Sequence, residues 1–137
     1  MKLWHVAALC GAFGVTATQA TAGDNKAETV QKNFEAALPN APGKSIVAVE
    51  VNYAPGTASP PHTHAKSAFI YAYVVSGAIE SQVNDGEVRV YHAGESWFEE
   101  PNALHGISRN ASRTLPAKLL AVFVLDSNDK TLTTPVK

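Results

Sequence analysis

Short strands separated by turn signals are the feature that most limits how this chain can fold. Residues 45–53 are rich in β-branched side chains, with Val47, Val49 and Val51 at alternate positions, a pattern typical of a strand with one buried face. Residues 84–86, Asn-Asp-Gly, predict a tight hairpin because these residue types tolerate positive φ. Further strands are predicted at 69–75, 78–83, 87–91, 96–99 and 119–125. With the histidine-bearing stretches described below, seven or more short strands indicate an all-β antiparallel sandwich or barrel.

One short helix is predicted ahead of these strands. Asn25 stands three residues before Glu28, the spacing of a capping box, and the chain turns at Pro39. Apolar residues follow the cap at helical spacing, namely Ala27, Val30, Phe34, Ala37 and Leu38. We therefore expect an amphipathic helix that packs on the outside of the domain.

The first 22 residues are typical of a secretory signal peptide. Lys2 supplies the charged start, residues 3–15 form an apolar run, and residues 20–22 have the small-x-small pattern of a cleavage site. We expect cleavage after Ala22, with Ala20 as the second choice. A membrane anchor is the alternative, but it needs about twenty uninterrupted apolar residues, and one histidine and two glycines interrupt this run. The mature protein is thus predicted to be periplasmic or secreted, without a membrane attachment.

Composition excludes several classes of function for the mature chain. A length of 137 residues with 45% hydrophobic residues allows one compact domain. Removing the signal leaves 10 basic and 12 acidic side chains, a net charge of −2, and no basic stripe that would bind nucleic acid. The single cysteine, Cys10, lies inside the signal. The mature domain is therefore predicted to have neither a disulfide nor a catalytic thiol.

Three histidines form the candidate functional site. His62 and His64 lie on an extended stretch that follows two prolines, so their side chains project to one face. If a later strand folds back beside them, His105 completes a three-nitrogen site suited to Zn, Fe, Mn, Ni or Cu. The alternative is a pair of exposed histidines after a proline loop. His92 stands at a turn and is predicted to face solvent.

The histidines lie within two motifs that resemble those of the cupin superfamily. A glycine six positions before His62, then His62-x-His64 and residues 73–77, Tyr-Val-Val-Ser-Gly, resemble the first motif. Gly94, a short strand, a proline-containing corner and His105 resemble the second. The resemblance implies a jelly-roll β-barrel that holds a divalent metal ion at its mouth or interior through the three histidines.

Together with the resemblance, these sequence patterns divide the chain into four parts. The expected parts are a signal peptide (1–22), an N-terminal helix and linker (23–44), a cupin β-barrel (45–126) and a loosely held C-terminal tail (127–137).

The family's glutamate ligand has no match, because Ala68 and Phe69 occupy its expected place and counting back from the motif's last glycine gives Ile70. Glu99 or Glu80 could replace it as fourth ligand or general base.

Two main functions fit a three-histidine metal site in a β-barrel. In either case we also expect a small-molecule ligand and a homodimer. The first is a metal-dependent enzyme of the oxygenase, isomerase or lyase type acting on a small oxygen-rich molecule, since three neutral imidazoles favour an anionic ligand. Glu99 and Tyr71 would be catalytic, and Phe69, Tyr73 and Trp97 would line its pocket. The second is a noncatalytic small-ligand or metal-binding module, and a barrel with a vestigial site is a third. A nearby acid or base and a closed apolar cavity would favour the enzyme, whereas a shallow, acid-free site would favour the module.

Overall fold

The computed structural model describes residues 28–137 as antiparallel strands, without a helix in that range and hence without one that could cross a membrane. The strands are β1 (Thr29–Ala37), β2 (Lys44–Tyr53), β3 (Ala58–Ser59), β4 (His62–His64), β5 (Phe69–Ser76), β6 (Ala78–Val83), β7 (Arg89–His92), β8 (Ser96–Glu99), β9 (Leu104–Asn110), β10 (Ala117–Asp126) and β11 (Thr133–Pro135). The predicted all-β antiparallel architecture is confirmed.

The strands form two sheets that face one another. The first sheet has the order β1-β2-β10-β5-β8, and the second has the order β11-β4-β9-β6-β7 with β3 also paired to β9. Alternate residues of β2, β5 and β10 are buried, so one face of the first sheet supplies most of the core. The two histidine strands, β4 and β9, lie side by side in the second sheet, opposite that apolar face.

Two apolar clusters fill the space between the sheets. One contains Val47, Val49, Ala65, Ala68, Ile70, Ala121, Phe123 and Leu125, and the other contains Tyr53, Ala72, Val74, Ile79, Trp97, Ala117 and Leu119. Both clusters draw their members from alternate strand positions, which is the pattern that the β-branched segments predicted. The core therefore fixes the register of the first sheet, which faces the strands that carry the histidines.

Residues with positive φ make the turns at the ends of these strands. Asn84 has φ of 52°, and the N–H of Gly86 donates to the carbonyl of Val83, so the predicted hairpin is confirmed. Gly77 has φ of 72°, and a Cβ there would lie 2.6 Å from the carbonyl oxygen of Pro116. Only glycine fits at this turn, which carries the chain from β5 in one sheet to β6 in the other.

The predicted N-terminal helix is wrong over the part of it that the structure describes. The start of its capping box at Asn25 lies outside the described residues, as does the predicted signal peptide, but Thr29–Ala37 form β1, which pairs with β2. Val30 and Phe34 are exposed rather than packed as a helical stripe. The backbone of this segment forms its hydrogen bonds with the edge of β2. The spacing of apolar residues along the sequence does not reveal that such an edge is available for pairing.

The predicted loosely held tail is also wrong. Thr133–Pro135 form β11, which pairs antiparallel with the histidine strand β4. Beyond this strand, the N–H of Val136 donates to the carbonyl of Pro61 over 2.9 Å. The polar sequence of the tail gave no sign of this pairing, because its contacts are made by the backbone.

Candidate metal centre

The three predicted histidines come together in the second sheet. His62 lies directly opposite His105 in the pairing of β4 with β9, and both rings are buried. The ring centroids lie 4.8 Å apart for His62 and His64, 5.1 Å for His62 and His105, and 6.3 Å for His64 and His105. One nitrogen from each ring lies within 4.8 Å of the others. The arrangement could hold one metal ion.

One nitrogen of each ring contacts a polar group of the barrel wall. Nδ1 of His62 lies 2.8 Å from the carbonyl oxygen of Pro60, and Nδ1 of His64 lies 3.0 Å from that of Leu132. A carbonyl oxygen only accepts, so these Nδ1 atoms carry the protons and leave Nε2 of each neutral ring with a free lone pair. Nε2 of His105 lies 2.8 Å from Oγ of Ser81. Contacts of this kind orient histidine rings for metal binding.

A carboxylate completes the cluster. Glu99, at the end of β8, is only 2% exposed. Its Oε2 lies 3.2 Å from Nε2 of His64, and its Oε1 lies 3.1 Å from Nδ1 of His105. The indole N–H of Trp97 donates to Oε1 over 3.2 Å. The site therefore offers three nitrogens and one carboxylate.

The register of β5 and β8 explains how Glu99 reaches this place. Glu99 is paired directly with Ile70, the position to which the expected glutamate ligand counts back. Paired residues on adjacent strands point to the same face with their Cβ atoms about 5 Å apart. The Glu99 carboxylate on β8 thus reaches the space that a glutamate side chain at position 70 of β5 would have occupied.

Glu80, the other acid considered from the sequence, is not at the site. Its carboxylate receives hydrogen bonds of 2.8 and 2.9 Å from Nε and Nη2 of Arg109. The pair crosses from β6 to β9 on the exposed face of the second sheet, where the neighbouring guanidinium lowers the pKa of Glu80. Glu80 is therefore an exposed ion-pair partner.

The electrostatics of the cluster fit a bound cation. Burial lowers the pKa of His62, and it lowers the pKa of His105 to about 4, so both rings are neutral near pH 7. Burial acts to raise the pKa of Glu99, but His64, His105 and the Trp97 N–H outweigh it, and the pKa of Glu99 is lowered. Among the described residues, Oε2 of Glu99 is the one buried side-chain polar atom without a hydrogen-bond partner. A buried carboxylate oxygen without a hydrogen-bond partner, facing imidazole nitrogens, is a position that a bound cation would stabilise.

A mostly apolar cavity of about 360 Å³ opens onto this cluster. Its walls include Val49, Val51, Ile70, Ala72, Leu119, Ala121, Phe123 and Leu132. The polar part of the wall, away from the metal ligands, includes a group of hydroxyls that we call the hydroxyl cluster: Tyr53 Oη lies 2.7 Å from Ser59 Oγ and 2.8 Å from Ser108 Oγ. The Glu28 carboxylate, which accepts a hydrogen bond from Ser59 Oγ, also lines the wall there. The cavity thus combines a charged end, an apolar body and a second polar position.

The aromatic residues predicted to line the pocket do not do so. Phe69 and Tyr71 are 42% and 44% exposed, and with Tyr73 they occupy the alternate positions of β5 that point away from the core. The predicted catalytic position of Tyr71 is therefore also wrong. Trp97 is buried, but it packs beside His105 in the core and is absent from the cavity wall. Phe98 of β8 extends this exposed aromatic surface of β5, since its ring stacks on that of Phe69. The predicted homodimer stays a prediction.

Three residues of the site were missed from the sequence. Ser81 follows Ile79 on the inward face of β6, and a polar residue at an inward position was a usable signal. Phe123 packs its ring 5.3 Å from that of His64, but residues 119–125 are apolar throughout, so the sequence does not show which face of β10 points inward. Leu132 contributes a backbone carbonyl, which no side-chain pattern reveals.

We expect the metal-free protein to lose stability in acid because of His105. Its pKa falls from 6.5 to about 4 on folding. Between about pH 6.5 and pH 4, His105 is therefore protonated in the unfolded chain but not in the folded chain. Stability is full above pH 6.5, declines as the pH falls towards 4, and loses about 3 kcal/mol in total. His62 acts in the same direction.

Urea unfolding after treatment with EDTA, at about pH 7.5 and about pH 4.5, measures this loss. The difference between the two pH values should shrink in His105→Gln, which cannot titrate there. Equal unfolding free energies of the parent at the two pH values would contradict the expectation.

Comparison with known sequences identifies a domain type for most of the barrel. A family model described as Cupin domain matches residues 49–123, which is more than half of the chain. The match contains all four members of the histidine and glutamate cluster. No curated protein matches the sequence significantly.

Solved structures share the fold at low sequence identity. An uncharacterised Klebsiella pneumoniae protein with a double-stranded beta-helix domain is 20% identical, with a TM-score of 0.63 over 82% of this chain and 88% of that chain. A recombinant oxalate oxidase in complex with glycolate is 20% identical, with a TM-score of 0.62 over 82% and 57%. The DMSP lyase DddQ from Ruegeria pomeroyi is 20% identical, with a TM-score of 0.55 over 66% and 43%. The chain therefore spans only about half the length of these enzymes, and the likeness establishes the fold.

Proposed function

Because this chain belongs to the cupin family, as the match over residues 49–123 shows, we propose that it is a metal-dependent enzyme acting on a small carboxylate. The observation that carries the proposal is the buried Glu99 carboxylate, ionised and with one oxygen lacking a hydrogen-bond partner beside three histidines. His62, His64, His105 and Glu99 would hold the ion. Nitrogen and carboxylate donors suit Zn, Fe, Mn, Ni or Cu.

The charge of this donor set favours an anionic ligand. Neutral imidazoles contribute no charge and Glu99 contributes one negative charge, so a divalent ion keeps a net positive charge at its open positions. When bound, such an ion supplies Lewis acidity and a strong site for an oxygen anion. The buried position of the donors, with Phe123 packed against His64, limits the access of water to that end of the cavity.

The cavity walls support a small ligand with a carboxylate head and a hydrocarbon body. The apolar side chains from β2, β5 and β10 would contact the body. Burial raises the pKa of Tyr53, so its hydroxyl keeps its proton at neutral pH and the hydroxyl cluster can bond a second oxygen of the ligand. The oxalate oxidase structure that shares this fold was solved with glycolate, which is itself a small carboxylate, and this agrees with the proposal.

A noncatalytic carboxylate-binding module is the second candidate. The observation that favours it is that the Glu99 carboxylate already lies against His64 and His105, an arrangement that suits a metal ligand better than a proton carrier. If all four hold the ion, the described wall of the cavity has only Glu28 and Tyr53 left as groups that can move a proton. Both candidates bind metal and carboxylate, and only turnover separates them.

Elemental analysis of protein purified without an affinity tag, followed by assays with the retained metal, tests the proposal. We expect about one divalent ion per chain, thermal stabilisation of the loaded protein by glycolate, acetate or propionate, and conversion of a related carboxylate detectable by NMR. Metal and carboxylate binding without turnover across the panel would favour the module. A protein without metal would overturn both candidates.

Filling the cavity should separate carboxylate binding from metal binding. Ala121 lines the cavity from β10, so Ala121→Leu places an isobutyl group where the ligand body would lie. We expect carboxylate affinity to fall by about tenfold or more, with metal content unchanged. Isothermal titration of the metal-loaded protein measures the affinity.

The neighbouring residue offers a matched control. Val122 points to the opposite face of β10, so Val122→Leu should leave both affinities as they are. Equal carboxylate affinity in Ala121→Leu and in the parent would mean that the ligand binds outside this cavity.

We also propose that the protein acts in the periplasm or outside the cell. The support is the signal-like sequence of residues 1–22. Mass spectrometry of the protein from a periplasmic extract should find a chain that begins at Gly23.

A further inference from the structure

The end of the chain forms one edge of the histidine site. Residues 132–136, which we call the C-terminal clasp, run along β4 on the side opposite β9. The N–H of Ala65 donates to the carbonyl of Leu132 over 3.3 Å, and the N–H of Val136 donates to the carbonyl of Pro61 over 2.9 Å. The clasp is therefore bonded to the chain on both sides of the His62–His64 strand.

His64 depends on the clasp more than the other two histidines do. The pairing of β4 with β9 joins His62 to His105 and Thr63 to Leu104, and it ends there. The cross-strand partner of His64 is Thr133, in the clasp. His64 and Thr133 form a non-bonded pair of the ladder, so the clasp holds the backbone at His64 through the bonds of the neighbouring residues Thr63 and Ala65.

The clasp also holds the ring of His64. Nδ1 of His64 donates to the carbonyl of Leu132 across 68 positions of sequence, whereas Nδ1 of His62 uses the carbonyl of Pro60, two residues away. The bond to Leu132 fixes the orientation of the ring, in which Nε2 of His64 lies 3.2 Å from Oε2 of Glu99. Leu132, Thr133 and Pro135 also line the cavity.

We infer that the C-terminal clasp is a positioning element of the metal centre, so that its docking and metal binding at His64 stabilise each other. The inference rests on the proposed metal site. Coupling between two binding events is reciprocal. An undocked clasp must therefore weaken metal binding, and a bound metal must make undocking of the clasp rarer.

Thr134→Pro tests the first half of this coupling. Residue pairs in an antiparallel ladder alternate between bonded and non-bonded, and the bonds at Leu132 and Val136 place Thr134 at a bonded position opposite Thr63. Proline removes that N–H donor without touching the cavity wall, because Thr134 is exposed and absent from it. Titration with Co(II), followed by its visible absorption, should show an affinity about 10- to 100-fold below that of the parent.

Thr134→Ala is the matched control, since it keeps the backbone donor and should bind Co(II) within about twofold of the parent. Hydrogen exchange of the parent measures the second half of the coupling and does not depend on any variant folding. Saturating Co(II) should slow the exchange of the amides of Ala65 and Val136, which bond the clasp to its neighbours.

The outcomes separate this inference from the proposed function. A parent protein that takes up no Co(II) overturns the proposed metal site and the coupling with it. A parent that binds Co(II) without slower exchange at Ala65 and Val136 overturns the coupling alone. Parent-like affinity in a folded Thr134→Pro protein does the same.

Discussion

Replacing His62 and His105 together by alanine is expected to abolish metal retention. The two rings lie opposite one another on β4 and β9, and their loss leaves His64 and Glu99 as the remaining donors. A two-donor site lacks the three or four protein ligands that zinc sites in proteins use. Because full sets of donors contribute on the order of 10 kcal/mol to zinc binding, we expect affinity to fall by more than about 1,000-fold. Elemental analysis of natively purified protein measures the retained metal.

His92→Ala is the control for this double variant. His92 ends β7, is exposed, and lies outside the group of histidines that could hold an ion, so its removal should leave the metal content unchanged. The near-ultraviolet circular dichroism of each variant reports whether the barrel has kept its packing. A folded double variant with the metal stoichiometry of the parent would show that the ligands lie elsewhere.

Local patterns in the sequence were enough to predict the strands and the convergence of the histidines. The strand at Ser96–Glu99 has its predicted bounds, and 69–75 and 78–83 match β5 and β6 closely. These segments combine β-branched residues, alternation and turn residues, and tertiary contacts reinforce the same choice. His62 and His64 share a face because strand geometry has a period of two, whatever the rest of the fold does.

The pocket was predicted wrongly because side-chain size was given more weight than alternation. On β5, Ile70 and Ala72 face the core of the barrel, so the larger Phe69, Tyr71 and Tyr73 must point outward. Large aromatic residues suggest a pocket, but the smaller residues between them are the ones that leave space for it. The same period, applied to β8, places Trp97 and Glu99 inside together and Phe98 outside.

Long-range pairing was beyond what the sequence could show. The register that sets Glu99 opposite Ile70 and the docking of β11 on β4 each join segments far apart in the chain. Backbone groups make these contacts, and every residue type has the same backbone groups. The family pattern indicated that a carboxylate was missing from β5, but only the sheet shows which strand supplies one.

Glu99→Gln should shift the stability of the metal-free and metal-loaded proteins in opposite directions. At about pH 8 the rings of His62 and His105 are neutral, and the metal-free protein buries a carboxylate oxygen that has no cation and no hydrogen-bond partner. A glutamine amide keeps the acceptor for Trp97 and offers N–H groups to the lone pair on His64. We expect the unfolding free energy of the metal-free variant to rise by about 1–3 kcal/mol, while its metal affinity falls by at least about 100-fold.

Urea unfolding with EDTA and with saturating Zn(II) measures both effects, and Glu80→Gln supplies the matched control. Glu80 carries the same charge, but it pairs with Arg109 at the exposed face, where a surface ion pair contributes at most about 1 kcal/mol. Its removal should leave metal affinity unchanged and should not stabilise the metal-free protein. If Glu99→Gln instead destabilised the metal-free barrel and bound Zn(II) as the parent does, the carboxylate would be a structural partner of the histidines, and the metal would have only three ligands from the protein.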